Sequence, residues 1–374
     1  MFDENFVVQS TVESVGRESS IGDNFHQRFA RAGTAALLVL GMLLQVAAAR
    51  GADSPPATSK AARELPAETV VRPGDLVPAS VLAQLMLIGA TRAGTRICAV
   101  GDHGYIIYSD DEGKTWRRAD APHSGLLTAV DFPDPQHGWV VGHAGLILAT
   151  TDGGRTWIEQ RYEPKEEQPL FDVLFRNDRE GFAVGAYGLL LVTQDGGRRW
   201  QQRSIGKDID RHLNYITVFG QKQLAIAAES GNLYTSNDGG QDWVDSTPYD
   251  GSFFGILDVP GGGLLAYGLL GHVFRSVDGG RNWLRVEGTG QASLMGGVAT
   301  GAGTVVLVGA GGTVLVSHDA GQHFATVNSS SARTLSAVLV LDHQRLLLFG
   351  VGGTSMLQLP AATVKPLANG GDHR

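Results

Sequence analysis

The chain has 374 residues, of which 51 are glycine, together with one cysteine and a formal net charge of −8. An acidic chain of this kind lacks the basic face that nucleic-acid phosphates require, so no nucleic-acid partner is expected. Cys98 has no second cysteine to pair with and lies in the apolar run I-C-A-V, which predicts a small core residue. The length would allow two domains, unless a regular repeat builds one large domain.

The amino-terminal region is predicted to direct export and not to join the fold. Residues 32–49 carry no charge, are rich in leucine, follow Arg28 and Arg31, and end in three alanines. We predict a leader over 1–31, a signal peptide or membrane anchor over 32–52, and a flexible linker over 53–68. A cleaved signal is favoured, although 18 apolar residues also reach the lower limit for a membrane span. Either alternative places the rest of the chain in the periplasm or at the periplasmic face of the inner membrane.

From about residue 71 the chain repeats itself. An octet of the form S/T-x-D-x-G-x-x-W/F begins at residues 109, 150, 193, 236, 276 and 317. Its Ser/Thr and Asp side chains can form hydrogen bonds to the backbone of their own turn, and its glycines adopt positive φ without steric cost. The aromatic residue at its end can pack onto the sheet. Six equivalent copies cannot serve one active site, so we interpret them as structural clasps. The aspartate and aromatic pairs are Asp111 and Trp116, Asp152 and Trp157, Asp195 and Trp200, Asp238 and Trp243, Asp278 and Trp283, and Asp319 and Phe324.

Three short β-forming runs precede each octet. A further unit of this kind follows the last octet but has no octet of its own, so the chain has seven units and six octets. The second unit shows the frame, with L-L-T-A-V-D-F at 126–132, G-W-V-V-G at 138–142 and G-L-I-L-A-T at 145–150. The fold class predicted is all-β, a seven-bladed propeller of four-stranded antiparallel blades over 69–360, six of them with Asp-turns, followed by a tail over 361–374. The fourth strand of the last blade is expected from residues 69–72 or, alternatively, from 362–365.

The octet resembles the Asp-box, also called the BNR repeat, and the longer pattern V-G-x-x-G-x-I/L before it is most similar to the photosystem II stability and assembly factor family. The pattern reads V-G-D-H-G-Y-I-I-Y-S from Val100 and V-G-H-A-G-L-I-L-A-T from Val141. The resemblance covers about residues 71–360. It implies a non-catalytic assembly factor that binds a membrane or envelope protein complex, without a cofactor. The basic binding patch of that family does not map residue by residue here, and the candidates for it are Arg176, Arg179, Arg203 and Arg211.

The alternative function is an Asp-box glycoside hydrolase of the sialidase or glucanase class. The R-I-P motif of Asp-box sialidases does not occur in the sequence. A glycosidase needs two carboxylates roughly 5 to 10 Å apart, and Asp102 and Glu229 are the candidates, although each is better interpreted as a turn residue. The eleven histidines show no metal-ligand spacing. We therefore predict no catalytic, metal or cofactor-binding residue.

The predicted partner-binding face is the end of the propeller opposite the Asp-turns. In a four-stranded blade the turn between strands two and three lies at that end, as do the connections between blades. Two of these connections, 158–169 and 201–211, are long and charged. A monomer is expected. The predicted partner-binding residues are His103, His143, Tyr187, Glu229, Arg203 and Arg211.

Overall fold

The computed structural model describes residues 70–207, 209–261, 263–329 and 331–360. Almost all of the regular structure in these ranges is β-strand, and the seven-bladed propeller is confirmed. Among the described residues, a single α-helix, α1, covers Ala79–Leu82. Within the ranges described, no helix combines the length and the apolar character that a membrane crossing needs. The predicted leader, signal or anchor, linker and carboxyl-terminal tail lie outside the described residues.

Each blade is an antiparallel sheet whose strands follow chain order. The strands of blades 1 to 4 are β1 Leu87–Ala93, β2 Arg96–Gly101, β3 Ile106–Ser109 and β4 Arg117–Arg118; β5 Leu127–Asp131, β6 Gly138–Gly142, β7 Ile147–Thr150 and β8 Ile158–Arg161; β9 Leu170–Phe175, β10 Gly181–Gly185, β11 Leu190–Thr193 and β12 Gln201–Arg203; β13 Leu213–Phe219, β14 Gln223–Ala228, β15 Leu233–Ser236 and β16 Val244–Ser246.

Blades 5 and 6 repeat the four-strand pattern, whereas the seventh sheet has three strands among the described residues. The strands of blades 5 to 7 are β17 Phe253–Val259, β18 Gly263–Gly268, β19 Val273–Ser276 and β20 Leu284–Val286; β21 Leu294–Ala299, β22 Val305–Gly309, β23 Thr313–Ser317 and β24 Ala325–Asn328; β25 Leu335–Val340, β26 Arg345–Gly350 and β27 Gly353–Gln358. Five single-turn 3-10 helices join second to third strands, at Asp102–Gly104, His143–Gly145, Ala186–Gly188, Leu269–Gly271 and Ala310–Gly312.

Burial follows the strand order, which explains the sequence pattern of the repeat. All five residues of β6 are buried, whereas the outer strand β8 is exposed or half-buried throughout. A strand that is covered on both faces has a continuous run of apolar residues in its sequence, without alternation. The apolar side chains form clusters shared between adjacent blades; one joins β2 and β3 to β5, β6 and β7. The core therefore lies between the blades, and each blade requires its neighbours.

The ring closes by contact between the beginning of blade 1 and the end of blade 7. Met86 and Val351 form an antiparallel bridge. The backbone amides of Gly352 and Gly353 both donate to the Leu85 carbonyl at 2.9 Å. The Ser336 hydroxyl donates to the carbonyl of Leu87 on the innermost strand of blade 1. The junction is thus made by backbone and first-strand contacts.

The prediction that residues 69–72 supply the closing strand of blade 7 is wrong for residues 70–72, the part that the structure describes. The segment 71–77 lies instead along the outer edge of blade 1, where Leu76 bridges Arg117 and the Val77 amide donates to the Trp116 carbonyl at 2.8 Å. The physical reason is that β4 has only two residues, so this edge offers unpaired backbone groups, while Pro73 and Pro78 interrupt any longer strand. Thr69 and the alternative at 362–365 lie outside the described residues.

Candidate protein-binding face

Each of the six Asp-turns is held by its own Ser/Thr and Asp side chains. In blade 2, the Thr150 hydroxyl donates to Asp152 Oδ1 at 2.8 Å and accepts the Gly154 amide at 3.1 Å. Asp152 Oδ1 also accepts the amides of Arg155 and Thr156, at 2.9 and 3.0 Å. In all six copies the first-position hydroxyl bonds the aspartate and the fifth-position amide. The carboxylates are therefore engaged by their own turns.

These hydrogen bonds also keep the Asp-turn carboxylates ionised. The backbone amide and the side chain of Asn282 donate to Asp278 and lower its pKa to about 2. The Asp319 carboxyl is partly desolvated, which opposes ionisation, but the hydrogen bonds from His323, Ser317 and Gln322 outweigh this and lower its pKa to about 2. A carboxyl group with so low a pKa holds no proton near neutral pH, so it does not suit general acid catalysis.

The eighth residue of each octet packs onto the sheet. Trp116 and Trp157 are buried, whereas Trp200, Trp243, Trp283 and Phe324 are half-buried. Trp157 meets the Phe132 ring edge to face at 5.8 Å and donates its indole N–H to the Gly154 carbonyl at 3.1 Å. The aromatic residue thus attaches the turn to the core between two blades.

The two ends of the propeller differ in what they present. The Asp-turns contact the turns between first and second strands; for example, the Gly153 amide donates to the Gln136 carbonyl at 2.9 Å. At the other end the turns between second and third strands contact the connections to the next blade. There the Gly188 amide donates to the Arg211 carbonyl at 2.8 Å, and a Cβ on Gly104 would lie 2.2 Å from the His123 carbonyl oxygen. We call this second end, with its turns and inter-blade connections, the turn face.

Three of the residues predicted for partner binding meet in one sector of the turn face, around His212. Tyr187 has φ 55°, is 40% exposed, and donates its backbone amide to His212 Nδ1 at 3.3 Å, with its ring edge to face on the imidazole at 5.2 Å. The Glu229 amide donates to the His212 carbonyl at 3.0 Å. Arg211 precedes His212 in the chain, and its carbonyl accepts a hydrogen bond from the Gly188 amide. The backbones of Tyr187, Glu229 and Arg211 are therefore joined through the segment around His212, across blades 3 and 4.

The remaining predicted residues lie in other parts of the propeller. His103 and His143 occupy the turns of blades 1 and 2, where both are exposed; the His103 ring lies 3.3 Å from the Asp102 carboxylate. Arg203 is half-buried at the end of β12, paired with Leu190. Asp102 accepts the Met86 amide at 3.1 Å. Asp102 lies in blade 1 and Glu229 in blade 4, on opposite sides of a seven-bladed ring, so the two candidate glycosidase carboxylates are not brought together.

Sequence reasoning missed three polar residues that connect blades or fix the turn face: Asp131, which is half-buried, and Asp172 and His212, which are buried. The Asp131 carboxylate accepts the Phe175 amide at 2.6 Å, and the Asp172 carboxylate accepts the Ile216 amide at 2.9 Å, each from the next blade. Burial raises the pKa of Asp131 to about 6 and that of Asp172 to about 8, against the effect of these hydrogen bonds. His212 is 4% exposed, and burial lowers its pKa although Glu229 and Asp210 oppose the shift. His212 Nδ1 accepts the Tyr187 amide, so this nitrogen carries no proton and the imidazole is neutral.

The long connections begin later than the sequence indicated. Residues 158–161 and 201–203 belong to the outer strands β8 and β12, so the connections are the segments 162–169 and 204–212. Ile205 is buried and Ile209 packs against the core of blades 3 and 4, which ties the second connection to the propeller. The turn face in this sector is therefore a packed surface.

Comparison with known proteins supports the resemblance deduced from the octet. The family model described as photosynthesis system II assembly factor YCF48 matches residues 116–286, and that of the BNR/Asp-box repeat matches residues 107–118. The photosystem II stability/assembly factor HCF136 of Cyanidioschyzon merolae is 39% identical over 67 residues, 17% of this chain and 15% of that protein. The photosystem II assembly lipoprotein Ycf48 of a Synechococcus strain is 39% identical over 62 residues, 16% of this chain and 18% of that protein.

The curated relatives are named assembly factors and not enzymes, and the resemblance to the Asp-box propellers of the photosystem II stability and assembly factor family is confirmed. The aligned segments span less than a fifth of each of these two relatives. Among solved structures, YCF48 bound to a D1 peptide has a TM-score of 0.63 and 18% identity, covering 79% of this chain and 98% of that one. The WD40 propeller domain of Doa1 has a TM-score of 0.60 and 10% identity, covering 75% and 95%. At these identities the structural likeness concerns the fold.

Proposed function

We propose that this protein is an exported, non-catalytic propeller that binds a membrane protein through the turn face and acts as an assembly or stability factor. The proposal depends above all on the match of residues 116–286 to an assembly-factor family. The solved relative YCF48 is a propeller bound to a peptide of a membrane subunit, D1, which supports a polypeptide partner for this chain as well. The partner belongs to a membrane or envelope complex, and the propeller acts as a monomer in the periplasm or at the periplasmic face of the inner membrane.

The geometry around His212 supports the turn face as the contact surface. Tyr187 is exposed, yet its backbone is held by His212 and its ring rests on the imidazole. A preorganised aromatic side chain loses little conformational entropy on binding, and aromatic residues dominate the energetics of protein interfaces. Arg211 lies beside His212 in the connection from blade 3 to blade 4, Arg203 supplies positive charge from the end of the outer strand β12, and His103 and His143 extend the face over blades 1 and 2. A standard interface needs about 800 Å² per partner.

Co-purification of the partner from membranes tests this assignment. Tyr187→Ala combined with Arg203→Glu and Arg211→Glu should reduce the recovered partner at least tenfold while the melting temperature changes little. The matched control is Val277→Ala, which removes an exposed apolar side chain, 65% accessible, from the Asp-turn of blade 5. Loss of the partner with the control and its retention with the triple variant would place the contact at the other end. Hydrolysis of sialosides or glucans by the purified protein would contradict the non-catalytic function.

A further inference from the structure

The turns between second and third strands share one backbone conformation. In each of the six blades with an octet the middle residue of this turn has a positive φ, between 54° and 65°; these residues are His103, Ala144, Tyr187, Ser230, Leu270 and Gly311. The left-handed region is disfavoured for residues with a side chain, because Cβ approaches the following carbonyl oxygen, and a glycine such as Gly311 avoids this contact. A large side chain at this position therefore needs a reason other than the geometry of the turn.

Two of these six positions hold large apolar side chains that are exposed. Tyr187 in blade 3 is 40% exposed, and Leu270 in blade 5 is 54% exposed. Among the described residues, Leu270 belongs to neither of the apolar clusters to which blade 5 contributes. Leu270 thus combines a disfavoured backbone conformation with an exposed leucine side chain, and neither feature contributes to the core. Strained backbone of this kind is concentrated at binding and active sites.

Both residues are held by the same contact from the following blade. The Tyr187 amide donates to His212 Nδ1 at 3.3 Å, and the Leu270 amide donates to Ser293 Oγ at 3.2 Å. His212 and Ser293 are equivalent in the repeat, since each precedes the first strand of its blade and accepts, at its carbonyl, an amide from the turn of its own blade. In the corresponding turns of blades 1, 2, 4 and 6, no side chain of the described residues accepts the middle amide. In the described turns this side-chain acceptor therefore accompanies a large apolar residue.

The turn of blade 5 is fixed on both sides of Leu270. The Leu269 amide donates to the Ser252 carbonyl at 2.9 Å, and the Thr289 hydroxyl donates to the Gly271 carbonyl at 2.7 Å. The backbone is thus hydrogen-bonded at three consecutive residues, so that binding to Leu270 costs little conformational entropy.

We propose that Leu270 is a second apolar anchor on the turn face, besides Tyr187, and that one extended segment of the partner polypeptide crosses the turns of blades 3, 4 and 5. This inference rests on the proposed function and adds to it a residue and the course of the partner chain. Tyr187 and Leu270 occupy equivalent positions two blades apart, so the ring fixes their separation. Between them blade 4 presents Ser230, which is exposed and small, so a polypeptide backbone can pass over it. Two apolar anchors with a small polar residue between them suit a segment that carries two large apolar side chains on a hydrogen-bonding backbone.

Co-purification from detergent-solubilised envelope membranes tests the proposal, with the full chain carrying a carboxyl-terminal affinity tag. The protein recovered with the wild type is first identified by mass spectrometry and then quantified for each variant. Leu270→Gly should reduce its recovery about fivefold or more. The melting temperature of this variant should stay the same or rise, because glycine adopts positive φ without steric cost. A fall of more than about 5 °C would show that Leu270 stabilises the fold and would overturn the proposal.

Ser293→Ala tests how Leu270 is positioned, because it keeps the leucine side chain and removes the acceptor of its amide. Recovery of the partner should fall about threefold, and the Leu270 amide should exchange its hydrogen faster in NMR spectra. Unchanged recovery and unchanged exchange would show that Ser293 does not hold Leu270, contrary to the proposal.

Two matched controls separate Leu270 from its surroundings. Ala144→Gly introduces glycine at the same turn position of blade 2, where φ is 57°, and Leu284→Ala removes a 74% exposed leucine from the outer strand of blade 5. Both variants should recover the partner as the wild type does. If Leu270→Gly retains the partner while Tyr187→Ala loses it, this inference fails and the proposed function stands. If both retain it, the contact at the turn face fails as well.

Two other occupants of this surface are distinguished by direct measurement. A wild-type dimer that Leu270→Gly dissociates in sedimentation would identify a second copy of the chain. Binding to vesicles of phosphatidylethanolamine and phosphatidylglycerol that Leu270→Gly abolishes would identify a lipid surface. Either result would overturn the proposal, and a monomer that does not bind these vesicles is expected.

Discussion

Replacement of Trp157 by alanine measures directly how much one Asp-turn contributes to stability. The side chain is 4% exposed, meets Phe132, and donates its indole N–H to Gly154. Burial of roughly 200 Å² at about 25 cal/mol per Å² corresponds to about 5 kcal/mol, and Trp→Ala substitutions in packed sites cost about 3 to 5 kcal/mol. We therefore expect Trp157→Ala to lower the free energy of unfolding by about 3 to 5 kcal/mol.

Urea unfolding followed by circular dichroism provides the measurement, with an unchanged m-value as evidence that the native state keeps its compactness. Phe324→Ala is the matched control in blade 6: this aromatic residue occupies the same octet position but is only half-buried, so its loss should cost less. Asp152→Ala leaves the amides of Arg155 and Thr156 without their acceptor and should cost about 1 to 3 kcal/mol. The structural interpretation of the octet would be refuted if Trp157→Ala removed partner binding while stability stayed within 1 kcal/mol of wild type, a limit set by ordinary surface substitutions.

Three further outcomes are expected. Arg96→Leu leaves the Gly153 carbonyl unpaired between blades 1 and 2 and should cost about 1 to 3 kcal/mol in urea unfolding, whereas Arg345→Gln, at a more exposed junction, should cost less. The raised pKa of Asp172 means that the folded state keeps a proton that the unfolded state has lost between about pH 4 and 8, so stability should fall as pH rises through this window, by up to about 1.4 kcal/mol per pH unit. Asp172→Asn should remove the part of that slope between about pH 6 and 8, where the carboxyl of Asp131, with a pKa of about 6, no longer contributes, in thermal melts recorded at several pH values; an unchanged slope in this range would contradict the pKa assignment. Amino-terminal sequencing of the envelope-fraction protein should find a chain that begins near residue 50 or 53, whereas an intact Met1 on a membrane-bound species would favour the anchor.

The fold could be predicted because the information that specifies each blade is local. Thr150, Asp152, Gly154 and Trp157 lie within eight residues, and their contacts are among themselves or with adjacent strands. A motif of this kind repeats visibly at a fixed spacing. The end of the ring could not be predicted in the same way, because blade 7 has no octet and its closure depends on backbone contacts between segments some 265 residues apart, such as that between Leu85 and Gly352.

The contacts between blades were also hidden from sequence reasoning, for a different reason. The bond from Phe175 to Asp131 and the bond from Ile216 to Asp172 each span 44 residues, but the two carboxylates occupy different positions along their strands. No column of aligned repeats therefore shows them. His212 was missed because it follows a charged connection, and a histidine in that position is expected at the surface. In the structure the turn at Ala186–Gly188 covers it.

The distribution of regular and irregular contacts indicates where recognition can occur. The Asp-turn is the same in six blades and specifies a scaffold, so it cannot distinguish one partner from another. The junctions differ from one pair of blades to the next: Arg96 bonds the Gly153 carbonyl between blades 1 and 2, whereas Gln223 bonds Asn237 within its own blade. The turn face differs between blades as well: among the turns that the structure describes, blade 3 alone places an exposed tyrosine over a buried histidine. Specific binding requires groups that are held rigidly and occur once on the surface, and Tyr187, whose backbone and ring are both held by His212, is a preorganised aromatic anchor of this kind.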